Sequence, residues 1–272
     1  MIIDFHTHIF PDAIAEKTIT SLKNKANIEP ATDGTLQGLL DSMESFGVGM
    51  SVVLPVVTKP GQFQGINEFA HNLNKKFPGK ILSFGGIHPD CEDYKAQIDI
   101  IKNLGLLGIK IHPDYQGVMI DDVRYMNIIE YASSQGLIIV THAGIDIGLQ
   151  DPVHCPPDRM RKVLDTIKPE KMVLAHFGGW QQWEEVYEYL AGENVYLDTA
   201  FTFDYIAREQ FLKILNKHDK EKILFATDSP WSSATAGIAA VKELPVDAEK
   251  KEGILWRNAE RLLGHLQINE RI

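Results

Sequence analysis

The chain has 272 residues, 44% of them hydrophobic and 24% charged; with both classes scattered throughout, this is the composition of an ordered globular protein, not of a disordered one. Its 27 basic and 37 acidic residues give a net charge of -10, which argues against a nucleic-acid or anionic-membrane surface and leaves a small molecule as the expected partner. No apolar run approaches the ~20 residues of a membrane helix, no secretory signal pattern precedes the first strand, and the two cysteines, Cys91 and Cys155, lack disulfide or thiolate-metal spacing, so a cytoplasmic protein is expected.

Ile2 to His8 alternates, and strict period-two geometry would place Asp4, His6 and His8 on one strand face and Ile3, Phe5 and Thr7 on the other. Two imidazoles at i and i+2 already supply half of a tetrahedral metal site. A polar excursion follows, and then Leu36, Leu39, Leu40 and Met43 recur at helical spacing before Gly47. Ser51 to Val57 is a continuous, β-branched run that reads as strand two, backed by a helix through Ile66, Phe69, Ala70, Leu73 and Phe77; His71 lies off that stripe and is expected in solvent. Lys80 to Pro89 reads as strand three, with His88 anchoring a turn and Tyr94, Ile98 and Ile101 marking the next helix.

Strand four is Leu106 to Pro113, followed by a helix through Tyr125, Ile128, Ile129 and Ala132. With Ile109 and Ile111 packed outward, Lys110 and His112 point together into the interior. Gly136 to Gly144 is strand five and ends on His142; Lys171 to Gly179 repeats the pattern and ends on His176. Helices through Met160, Val163, Leu164 and Ile167, and through Trp183, Val186, Tyr187 and Leu190, follow them. Asn194 to Thr199 is strand seven, backed by Phe211, Ile214 and Leu215. Lys222 to Pro230 is strand eight and carries Asp228, and a closing helix runs through Leu255, Ala259, Leu262, Leu263 and Leu266.

Eight buried strands, each followed by a helix and with no linker between them, point to one (β/α)8 TIM barrel over residues 1–272, at about the usual length for that fold. Active sites in such barrels sit at the C-terminal ends of the strands. Those ends carry His6, His8, Lys110, His112, His142, His176 and Asp228. Any one alone reads as a loop anchor or cap, but all are metal-ligand or acid-base types gathered at one rim.

At this point the sequence resembles the amidohydrolase superfamily, in particular the amidohydrolase-related group that includes aminocarboxymuconate semialdehyde decarboxylase and related lactonases. Its markers are the Asp4-to-His8, Gly108-to-Pro113, Thr141-to-Gly144, Ala175-to-Gly179 and Thr227-to-Pro230 stretches with the closing Asn258 to Leu263. The resemblance implies that His6, His8, His142 and Asp228 hold one divalent metal, usually zinc, and that His176 faces substrate or a second metal. Such a metal lowers the pKa of a bound water from about 15.7 toward 7 to 9. Asp228 would then take the water's proton and His176 would polarise a carbonyl. Asp4 suits a supporting polar role behind the ligands.

In two-metal relatives a carboxylated lysine or a glutamate on strand four bridges the ions. Lys110 is the only such candidate here, and it is read as an uncarboxylated cation, with bridging as the alternative. The lack of a Glu on that strand and the acidic balance count against a TatD-like phosphoesterase, and the full ligand set counts against a binding barrel without turnover. His112 is a candidate substrate contact, Trp180 and Trp231 candidate pocket walls, and Arg124, Arg159 and Arg161 candidate grips for an anionic group. The resulting expectation is metal-dependent hydrolysis of an amide, lactone or related bond in a small carboxylate-bearing substrate, with non-oxidative decarboxylation as the alternative. One metal ion is expected, or two if Lys110 bridges; assembly into a homo-oligomer stays open.

Overall fold

Each apolar run becomes a short parallel strand: β1 Ile3–Thr7, β2 Met50–Val53, β3 Ile81–Ser83, β4 Gly85–Gly86, β5 Gly108–Ile111, β6 Ile138–Thr141, β7 Met172–Leu174, β8 Tyr196–Asp198 and β9 Ile223–Leu224. The computed structural model describes residues 1–149 and 151–264. β1, β2 and β3 pair in order, as do β4 to β9. Phe84 carries β3 into β4 and donates its N–H to Val53 O at 2.9 Å, so the two segments are one broken strand. Closure comes from Phe5 N donating to Phe225 O (2.9 Å), Asp228 N to His6 O (2.9 Å) and His8 N to Ser229 O (2.6 Å). The result is the expected TIM barrel of eight strands in parallel register.

Two apolar clusters divide the core, as the alternation predicts. Ile109, Ile111, Ile139 and Leu174 pack outward against helix residues such as Ile128, Val163 and Val186, while Val52, Leu54, Phe84, Val140 and Val173 fill the interior with Leu262 and Leu263 of the closing helix. Strict alternation fails on β1. Ile3 pairs with Met50 and Asp4 with Ser51, yet Thr7 pairs with Val53, so β1 carries one extra residue between Asp4 and Thr7. That bulge puts Ile3 and Phe5 in the interior cluster and separates Asp4 from the face of His6 and His8. Asp4 instead accepts from Thr227 N (2.9 Å) and Thr227 Oγ1 (2.6 Å), fastening β1 to the segment that bears Asp228.

The polar excursion after His8 is in fact a 15-residue helix, Asp12–Ala26. It buries only Ala15 and Ile19, too sparse a stripe to announce itself, although Asp12 in its first turn, Lys23 and Lys25 in its last, and Asn27 in the left-handed region beyond it are ordinary helix end signals. A further helix, Ala234–Lys242, begins at Ser233, whose Oγ accepts from Thr235 N. The closing helical run ends with Asn258–Leu263, and Leu266 lies outside the described residues. His71 is not free in solvent: it is half-buried and its Nδ1 donates to Leu104 O at 2.6 Å. No helix among the described residues is long and apolar enough to cross a membrane.

Gly144 stands where the chain after β6 crosses the chain after β7. Its φ is +83° and an added Cβ would fall inside the contact distance of Trp180 N and Gly179 C, both main-chain atoms. Trp180 N donates to Ala143 O (3.0 Å) and Ile145 N to Trp180 O (3.1 Å), so the crossing ties the His142 loop to the His176 loop. Gly144→Ala therefore combines backbone strain with overpacking, and a loss of about 3 kcal/mol or more is expected in denaturant or thermal unfolding. An unchanged midpoint would show that the crossing is not rigid.

A second expectation concerns acid stability. Buried His218 accepts from Gly192 N at Nδ1 (3.1 Å) and donates from Nε2 to Val195 O (3.0 Å), and burial lowers its pKa from 6.5 to about 4. The unfolded chain takes up a proton below pH 6.5 that the folded chain refuses until about pH 4. Stability from this group is therefore complete above pH 6.5 and falls by up to about 3 kcal/mol as pH drops to 4. His218→Gln should flatten the pH dependence of unfolding in that window, and an unaltered curve would assign it to other groups.

Candidate active site

Five strand ends meet at one rim. His6 comes from β1 and His8 from the residue just after it, Lys110 from β5, His142 and His176 from the turns after β6 and β7, and Asp228 from the segment after β9. His176 (φ 57°) and Asp228 (φ 69°) both hold left-handed backbone conformations, a cost of about 1–3 kcal/mol each that non-glycine residues sustain mainly where side-chain aim matters.

The hydrogen bonds fix the tautomers of the first two histidines. His6 Nδ1 donates to Asp198 Oδ2 at 2.8 Å, and His8 Nδ1 donates to Leu54 O at 2.8 Å. In the neutral rings both Nε2 atoms then carry lone pairs, and these face each other 3.1 Å apart. Asp228 Oδ1 lies 3.4 Å from His6 Nε2 and 3.2 Å from His8 Nε2. Three acceptors converging this closely repel unless positive charge lies beside them, and the Lys110 ammonium hydrogen-bonds only one of the three, His6 Nε2 at 3.2 Å. Their spacing is close to the roughly 3.3 Å edge of a tetrahedron with 2.0 Å bonds. The donor set thus fits a divalent metal.

Burial enforces the neutral state. His6 is pushed well below the usual histidine range by burial and then by the positive Lys110. His142 and His112 are also held well below it, first by burial, then by His112 and by Lys110 respectively. Lys110, 1% exposed, has its Nζ 3.2 Å from His6 Nε2; burial lowers its pKa to about 8 while Asp198 and Asp228 oppose the shift. Beside Asp4 and Asp198, whose pKa values burial raises to about 7, the interior holds Asp228 and one ammonium, a set of carboxyl groups that a further cation would help to ionise.

The four ligands implied by the resemblance are not gathered as one set. His6, His8 and Asp228 form one potential metal-binding group, whereas His142 belongs to a second with His112 and Asp146. The reason is ring orientation. His176 Nδ1 donates to Ala200 O (3.0 Å), so its Nε2 is an acceptor, and His142 Nδ1 lies 3.0 Å from it. His142 stacks on His112 at 4.2 Å, and its Nε2 has no hydrogen-bond partner, lying 4.0 Å from the equally unpartnered Asp114 Oδ2. His176 consequently reaches a substrate only when its Nε2 leaves His142. His112 Nδ1 accepts from Tyr115 N (3.3 Å), which leaves its Nε2–H facing Asp146 Oδ2 at 3.4 Å.

These groups line a cavity of about 640 Å³, with Trp180 and Trp231 in its walls as expected. Arg124, Arg159 and Arg161 do not reach it. Arg124 binds Asp122 and Asp90, Arg159 binds Asp121, and Arg161 binds Asp165 and Glu193, so carboxylates of the outer surface already occupy all three. His88 does anchor its turn, accepting from Asp90 N at 3.1 Å.

Asp198, wholly buried at the end of β8, was not singled out from sequence. Its Oδ1 accepts from His176 N and Ala200 N, both at 3.0 Å, and its Oδ2 from His6, so one carboxylate positions two of the site histidines. Burial raises its pKa to about 7, with Lys110 and the two backbone donors opposing. A carboxylate at a strand's C-terminal end is a signal that was present; for Asp146, in a loop, there was none.

Residues 3–265 match the protein-family model described as amidohydrolase. Compared by sequence with curated proteins, the chain has no match. Among solved structures it is similar to a TIM-barrel protein of Bordetella bronchiseptica, with 20% identity over 97% of this chain and 99% of that one at a TM-score of 0.78. It also resembles a dihydroxybenzoic acid decarboxylase from Polaromonas with bound manganese and 2-nitroresorcinol (14% identity, 96% of each chain, TM-score 0.70). A third likeness is to a probable 2-pyrone-4,6-dicarboxylic acid hydrolase from Acinetobacter baumannii (15% identity, 97% and 99% of the chains, TM-score 0.67). At such identities the structural likenesses show the fold.

Proposed function

Because the chain belongs to the amidohydrolase family, we propose that it is a divalent-metal enzyme, with zinc the expected ion, that hydrolyses an amide, lactone or related ester bond of a small molecule. The observation that carries this reading is the convergence of His6 Nε2, His8 Nε2 and Asp228 Oδ1 within 3.1–3.4 Å of one another at the cavity floor. These three residues would hold the metal, with His142 joining them if its ring turns away from His176. When bound, the ion supplies Lewis acidity and acidifies a water. Asp228 offers its second oxygen, Oδ2, to receive the proton of the attacking water and return it to the leaving group. Lys110, as an uncarboxylated ammonium, offsets part of the negative charge of Asp198 and Asp228. The indoles of Trp180 and Trp231, and the His112 Nε2–H when it turns from Asp146 to the substrate, orient the substrate and limit water at the floor.

A second reading, decarboxylation, is favoured by the aromatic wall in which Trp180 lies 6.4 Å from Phe201, since a planar unsaturated acid would rest against it. The deciding experiment combines metal analysis with product analysis on lactones, N-acyl compounds and unsaturated carboxylates. About one divalent metal per chain and release of an acid with uptake of water support hydrolysis. Release of carbon dioxide overturns it in favour of the lyase, and metal-free protein whose turnover is unchanged in the His6→Ala/His8→Ala variant overturns both.

A further inference from the structure

We infer that the substrate carries an extended, uncharged apolar group which projects from the metal end out between two helices; this rests on the reading that the bond broken lies at the His6, His8 and Asp228 floor. The cavity of about 640 Å³ is roughly four times the ~150 Å³ that suffices to enclose a benzene ring. A single planar ring at the floor therefore leaves most of it unfilled.

The surplus volume has its own walls. Ile14 and Leu22 come from the helix Asp12–Ala26, Ile66 and Phe69 from the helix Phe63–Lys76, and Ile147 from the loop after β6. None of these five lies at a strand end or bears a polar side-chain atom; Thr18, Lys25, Thr58 and Gln62 line the same cavity, whose surface is mainly apolar. Ile14 is 49% exposed although it is a large aliphatic on a structured helix, as suits the lip of a channel that a ligand covers.

Charge points the same way. Among the described residues no arginine lines the cavity, and its two ammonium groups are ill placed for a distal carboxylate: Lys110 is buried beside Asp198 and Asp228, and Lys25 is exposed, where an ion pair contributes little. Asp146 adds a negative charge to the wall. A carboxylate at the far end would lose its hydration against mainly apolar side chains with no buried cation in return. The expectation of a carboxylate-bearing substrate is thus confined to the metal end.

Inert probes separate this inference from the chemistry. Binding of straight-chain methyl ketones of four to ten or so carbons is followed by the change in tryptophan fluorescence, with Trp180 and Trp231 in the cavity wall and calorimetry as a check, and compared with the same ketones bearing a terminal carboxylate. Kd is expected to fall by up to about fourfold per added methylene until the channel is full, and the terminal carboxylate should weaken binding at least tenfold. Leu22→Asp and Ile147→Asp, each checked for native circular dichroism, should remove the length dependence. Affinity that ignores chain length, or tighter binding of the carboxylated series, overturns the inference. If the ketones show the length dependence while no ester, lactone or amide is cleaved, hydrolysis fails and the apolar channel stands; if esters are cleaved at rates and affinities indifferent to length, the reverse holds.

Discussion

Asp228→Asn is expected to fold, to bind metal more weakly and to lose at least about a thousandfold in turnover that excess metal does not restore. The fold should survive because Asp228 is tied in by its backbone, whose N–H donates to His6 O at 2.9 Å. The metal should weaken because the carboxylate charge 3.2–3.4 Å from the two Nε2 atoms disappears, and because an amide NH2 turned toward those lone pairs satisfies them by hydrogen bonding. Turnover should collapse because the amide cannot accept the proton that the attacking water sheds, and removal of a positioned acid or base costs about 10²–10⁴ by itself. The measurement is metal content beside kcat at saturating metal. Recovery of full activity with added metal would reduce Asp228 to a ligand and remove it as the proton acceptor.

Asp198→Asn should damage the site without touching substrate. In the native protein all three donors around this buried carboxylate point inward: His6 Nδ1, His176 N and Ala200 N. An asparagine has one acceptor oxygen and must aim its NH2 at one side of that arrangement. Aimed at His6, the NH2 favours the tautomer with the proton on Nε2, the atom that faces His8 and Asp228, which opposes metal binding. Aimed at the two backbone N–H groups, it sets donor against donor and loosens the turn that carries His176. Either way Lys110 loses a buried counter-charge. Metal affinity is expected to drop about 10–100-fold, the range for residues that orient a ligand, and kcat/KM with it. Partial rescue of kcat/KM by excess metal, with native unfolding behaviour, would mark Asp198 as a positioning residue; unchanged metal affinity would show that the His6 tautomer does not depend on it.

What the sequence alone determined is what period and position encode. β-branched runs bounded by helical stripes define an eightfold barrel, and alternation on β5 places Lys110 inside because Ile109 and Ile111 must face the helices. The strand-end rule then singles out His6, His8 and Asp228, which do converge. Tertiary structure decided the rest, because those features depend on partners far apart in the chain. The bulge in β1 exists only in register with β2 and moves Asp4 off the histidine face. Asp198 is one carboxylate among many until 192 residues of chain fold back to set it against His6. The ring of His142 turns toward His176 because Ala200 O fixes that neighbour's tautomer. The helix Asp12–Ala26, weakly amphipathic on its own, becomes a wall of the cavity only when the closed barrel beneath gives its apolar side chains something to cover. Local periodicity sets which face a side chain takes, whereas burial, tautomer and charge balance are properties of the assembled neighbourhood and appear only with it.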